Sequence, residues 1–143
     1  MGFLDSIMKG SETDDVKGSG TGTSPFKVTM NFLPLRLAAM KDNKVNMFIR
    51  ITNTSGGGQL VSVDVALPRN QLVGFDPTCI NKHMEKRVGQ LNAGESTEVV
   101  LPIWGNNQTK DGNYPIGITV YAHYLDYTKV INSVKKSASL RVV

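Results

Sequence analysis

The 143-residue chain is poor in the side chains that carry metal and nucleophilic chemistry: one cysteine, Cys79, and two histidines, His83 and His123. A single cysteine makes no internal disulfide, which excludes a disulfide-stapled secreted scaffold. A structural zinc site normally needs two close-spaced pairs of Cys or His, and only one mixed pair, Cys79 and His83, is present. No apolar run approaches the ~20 residues that a membrane-spanning helix requires. The Gly-x-x-x-x-Gly-Lys run that cradles phosphates is missing, and so is any internal repeat. These gaps point away from catalysis and cofactor binding; no cofactor and no metal ligand set is expected.

What is present is ordinary for a soluble protein: 40% apolar and 20% charged residues, with aromatics at 7%. The net charge of +4 is unevenly placed. Residues 1–24 carry Asp5, Glu12, Asp14 and Asp15 against Lys9 and Lys17, a net of −2, while the remainder carries fourteen basic and eight acidic residues, a net of +6. A positive body with an acidic leader suits an anionic partner, and equally a solvated surface.

Residues 1–24 read as a leader. Phe3, Leu4, Ile7 and Met8 share one face of a short helix. Two turns cannot hold together alone in water, so this segment is expected to dock on a membrane surface or a protein partner, or to pack on the body. The features of a secretory signal are absent from it, and the expected location is cytoplasmic, at most peripheral to a membrane. Gly10 to Ser24 is Gly, Ser, Thr and acid with Val16 as its one apolar residue, and so reads as a flexible tether.

From residue 25 to residue 143 the apolar period is two. Val45, Met47, Ile49 and Ile51 alternate with Asn46, Phe48, Arg50 and Thr52. Val61, Val63 and Val65 alternate with Ser62 and Asp64, Leu101 and Ile103 with Pro102 and Trp104, and Ile116, Ile118 and Val120 with Thr119 and Tyr121. Pro34 interrupts the first strand, which predicts an edge strand that breaks where it switches sheets. Residues 69–88 are ambiguous: the pattern predicts a short strand within 71–75, a helical turn near 77–83 and a strand over 86–91, with a helix through 87 as the competing reading. About seven strands with regular turn signals predict an all-β antiparallel sandwich. Two sheets are needed because one sheet would leave too many Val and Ile in water.

Three stretches carry a resemblance. Ile49-Arg-Ile-Thr-Asn-Thr-Ser-Gly56 ends a strand in an Asn-Thr turn, Gln90-Leu-Asn-Ala-Gly-Glu-Ser96 is a turn that opens a strand, and Asp111-Gly-Asn-Tyr-Pro-Ile116 enters a long late strand. Over residues 35–143 the chain resembles the immunoglobulin-like superfamily and, more narrowly, the CARDB-like and NEW-type accessory domains of archaea and bacteria. Tyr114 stands where antibody domains place their corner tyrosine, while Ile116 occupies the position of their second cysteine. The resemblance implies binding, adhesion or spacing roles and transfers no catalytic residue.

The expected function is therefore a non-catalytic interaction module. Its candidate contacts are the leader residues Phe3, Leu4, Ile7 and Met8, and an outward aromatic patch of Phe48, Trp104 and Tyr121, provided these lie on one sheet. Open sheet edges are a further means of engaging a partner or a second copy. The alternative is nucleic-acid binding through the basic stretch of Lys82, Lys86 and Arg87. Zinc binding by Cys79, His83, His123 and Asp126, or a Cys79–His83 nucleophile, lacks a second close pair or an orienting third group.

Overall fold

A computed structural model describes residues 24–143. Nine strands follow one another: β1 (Phe26–Leu33), β2 (Arg36–Leu37), β3 (Asn43–Asn53), β4 (Gln59–Ala66), β5 (Val73–Gly74), β6 (His83–Leu91), β7 (Ser96–Gly105), β8 (Gly112–His123) and β9 (Val130–Val142). Seven are long, as the alternation predicts, and β2 and β5 add two residues each. The amphipathic segment at residues 3–8 lies outside the described residues.

The strands form two sheets, ordered β1-β3-β7-β5 and β2-β9-β8-β4-β6. Every pairing is antiparallel except β2 with β9. Pro34 follows a cis peptide bond and stands between β1, in the first sheet, and β2, in the second. The interrupted strand does switch sheets. This immunoglobulin-like sandwich packs Met47, Ile49 and Ile51 of β3 and Leu101 and Ile103 of β7 against Val61, Val63 and Val65 of β4 and Ile116, Ile118 and Val120 of β8. Each such side chain contributes about 1.5–3 kcal/mol through removal from water. Tyr114 is buried, and its hydroxyl donates to the carbonyl of Lys110, the bond made by a corner tyrosine.

The segment before β6 corrects the sequence reading. No helix forms among the described residues; residues 75–82 make a loop. The Asp76 carboxylate accepts hydrogen bonds from the Thr78 backbone and hydroxyl and from the Asn81 amide. Such local bonds compete with helical ones, and Cys79 takes a left-handed conformation (φ 59°) that ends any helix. Met84 and Val88, four residues apart, both pack against the core; that step is two strand periods and close to one helical turn of 3.6, so it fits either element. Gly74 lets the loop close: a Cβ there would meet Cys79 Cα at 2.5 Å.

Candidate interaction surfaces

The outward faces of the two sheets carry different chemistry. On the four-stranded sheet, Phe48 of β3 lies opposite Asn31 of β1 and Val100 of β7, and Asn46 lies between Leu33 and Pro102. Trp104 continues the row on β7, with the Lys44 ammonium 5.2 Å from its ring centroid. Leu33 is 65% exposed and Val100 46%, while Phe48, Pro102 and Trp104 are half-buried. Leu33, Phe48, Val100, Pro102 and Trp104 thus form an apolar band across three neighbouring strands, outside the core. Phe48 and Trp104 were legible as outward aromatics; Val100, Pro102 and Leu33 were missed as their companions because strand pairing is needed to align them.

Tyr121 does not belong to that band. It lies on β8, opposite Ser62 of β4, and faces outward from the five-stranded sheet. There the sandwich holds a second cluster. Ser62 Oγ and His123 Nε2 are 2.7 Å apart, both residues are buried, and His123 Nδ1 has no hydrogen-bond partner. Tyr127, from the turn between β8 and β9, covers the imidazole edge-on at 5.1 Å. The Arg87 guanidinium stacks over Tyr127 at 4.8 Å, a cation–π contact. His123, which the sequence offered only as a candidate zinc ligand, is buried. Its burial on an outward face comes from Tyr127, a residue that strand alternation says nothing about.

The basic stretch is dispersed by the fold. The Lys82 ammonium donates to the carbonyls of Gln71 and Val73 and holds the 71–82 loop closed. Burial pushes its pKa down, and the neighbouring Cys79 acts in the opposite direction. Lys86 lies opposite Val63, whose side chain points into the core, and Arg87 lies opposite Ser62, on the outward face. The two therefore sit on opposite faces of β6. His83 Nε2 is 3.5 Å from Asp64 Oδ1 on that same outward face.

Cys79 is buried, with Sγ 3.4 Å from the Trp104 carbonyl oxygen, and burial raises its pKa above that of an ordinary thiol. A thiol so placed is poorly suited to act as a nucleophile. Among the described residues, no three Cys, His, Asp or Glu side chains are gathered as a metal site would need. Asn53, the first residue of an Asn-Thr-Ser glycosylation sequon, is buried, and its amide donates to the carbonyls of Gly57 and Leu91, both at 2.8 Å.

No family model matches the chain, and no curated protein matches it in sequence. Solved structures match it in fold. A fragment of native alpha-2-macroglobulin from Escherichia coli, domain MG7 to the C-terminus, aligns with a TM-score of 0.59 at 18% identity, covering 83% of this chain and 16% of that one. The fold is an immunoglobulin-like β-sandwich. A FixG-related protein from Vibrio parahaemolyticus aligns over 84% of this chain and 98% of its own, with a TM-score of 0.52 and 10% identity. The CARDB domain of a Pyrococcus furiosus protein aligns over 90% of this chain and 100% of its own at 15% identity, with a TM-score of 0.48. Enzymes are also among the matching chains, so the sandwich is shared by proteins of different function.

Proposed function

We propose that the protein is a non-catalytic interaction module that binds a protein partner through the outward face of its four-stranded sheet. The observation that carries this reading is the band of Leu33, Phe48, Val100, Pro102 and Trp104. An outward sheet face in water is ordinarily polar, and apolar side chains aligned across three strands favour contact with a complementary apolar surface. Lys44, beside Trp104, supplies a polar rim. The leader residues Phe3, Leu4, Ile7 and Met8 add a second contact, made on a membrane surface or on the same partner, which fits a peripheral cytoplasmic protein. Nucleic-acid binding is the weaker reading, because Lys82 is committed to two backbone carbonyls and Lys86 and Arg87 diverge.

Site-specific photocrosslinking of the full chain in its native cell tests the reading. A photoreactive residue at Val100 is expected to capture one protein reproducibly, and Phe48→Asp is expected to abolish that adduct without unfolding the sandwich. Adducts of nucleic acid, or a capture that Phe48→Asp leaves unchanged, would overturn it.

A further inference from the structure

The two sheets end differently on the flank where β1 gives way to β2. β2 covers only the last residues of β9, pairing Arg36 with Arg141 and Leu37 with Val142. The Val143 amide donates to the Leu37 carbonyl, and the Ala39 amide donates to the Val143 carbonyl. Val143 therefore directs its backbone toward β2, away from β8. The β8–β9 register is unbroken from Gly112↔Val142 to Ala122↔Asn132. Strand alternation then turns the backbones of Ser139, Ser137, Lys135 and Ser133 toward the same side. Among the described residues, no strand pairs with them there. The Ser133 amide is the exception to their openness, since it donates to the side chain of Asn132 at 2.9 Å. What remains is an open ladder: the amides and carbonyls of Lys135, Ser137 and Ser139.

The side chains around this edge select what fits it. From Lys129 to Val143 the chain carries Lys129, Lys135, Lys136 and Arg141 and no acidic residue. Lys135 points to the outward face, and Lys136, opposite Ile118, to the inward side, yet both are exposed because sheet coverage has run out there. Val134 and Ala138 flank Lys136 on the inward side and are half-buried against the core. A second copy of β9 is a poor occupant. Antiparallel pairing of two such edges brings the lysines of the copies within one or two cross-strand positions, where like charges repel.

We propose that the edge of β9 from Ser133 to Ser139 accepts an extended acidic segment of a partner polypeptide as a sixth strand of the five-stranded sheet. Backbone ladder bonds supply the affinity. Acidic side chains opposite Lys135 and Lys136, with small apolar ones opposite Val134 and Ala138, supply the selection. This surface is distinct from the apolar band of the other sheet, and the inference stands without the function proposed for that band.

The test uses the full chain and a capped peptide of about eight residues, a common strand length, in which a central Asp-Glu pair is flanked on both sides by Val and Thr. Amide resonances of Lys135, Ser137 and Ser139 are expected to shift and gain protection from exchange, and affinity is expected to fall with added salt. Ser137→Pro removes an edge-facing amide and no bond to β8, so it is expected to weaken binding about tenfold or more, as loss of one or two ladder bonds would. Lys135→Glu with Lys136→Glu keeps the ladder and is expected to switch preference to a basic peptide of the same pattern. Equal binding of an equally charged peptide with proline at alternate positions would overturn the proposal, because such a peptide cannot form the ladder. So would shifts confined to another surface, or protection of these amides that depends on protein concentration without peptide, which would mean self-pairing.

Discussion

Ser62 and His123 stand 61 residues apart in sequence and 2.7 Å apart in space, Oγ to Nε2, on the outward face of the five-stranded sheet. The pair is buried although strand alternation points both side chains to solvent, because Tyr127 folds back over the imidazole. With Nδ1 already without a partner, the ring depends on Ser62 for its hydrogen bond. Ser62→Ala leaves it with none and is expected to cost about 1–3 kcal/mol. Combining Ser62→Ala with His123→Phe is expected to cost less than the sum of the single changes. Denaturant unfolding of the four proteins of this cycle measures the coupling, and strict additivity would mean that the contact carries no energy.

Neighbours on β3 should separate core from surface. Ile49 is fully buried, and Ile49→Ala is expected to lose about 2–5 kcal/mol. Phe48 faces outward, so Phe48→Asp is expected to lower stability by far less while abolishing partner binding. Melting curves of the two variants check the assignment of faces.

Acid should loosen two turns. The Asp76 carboxyl is held below the usual carboxylate range, chiefly by the Thr78 hydroxyl, and Asp126 likewise by the Thr128 hydroxyl. A depressed folded-state pKa means that the unfolded chain binds protons more readily. The stabilisation is present above the ordinary carboxylate range and is lost as pH falls through the depressed values. Asp76→Asn and Asp126→Asn should each flatten the fall of melting temperature as pH drops below the ordinary carboxylate range.

Leader residues should act on association alone. Leu4→Asp with Ile7→Asp is expected to abolish leader-dependent binding, read as sedimentation with anionic vesicles or as recovery of the partner. Thermal stability of the sandwich is expected to change by no more than about 0.5 kcal/mol. A large drop in melting temperature would instead mean that these residues pack on the body.

The period-two alternation alone determined the all-β class, six of the seven long strands and the inward sets of β3, β4, β7 and β8, because a pleated strand sends successive side chains to opposite faces whatever its neighbours are; β6 stayed open between strand and helix until the fold decided it. Pro34 marked the sheet switch for a reason equally local: proline has no amide to give to a ladder. Tertiary structure decided everything that depends on which strands are neighbours. It aligned Phe48 with Val100 and Pro102, sent Tyr121 to the other sheet, divided Lys86 from Arg87, and spent Lys82 on two carbonyls. Among the described residues, it also left the side of β9 that faces away from β8, from Lys135 to Ser139, without a strand partner. Alternation says which way a side chain points, but only the pairing of distant strands says what stands beside it and which backbone groups remain open.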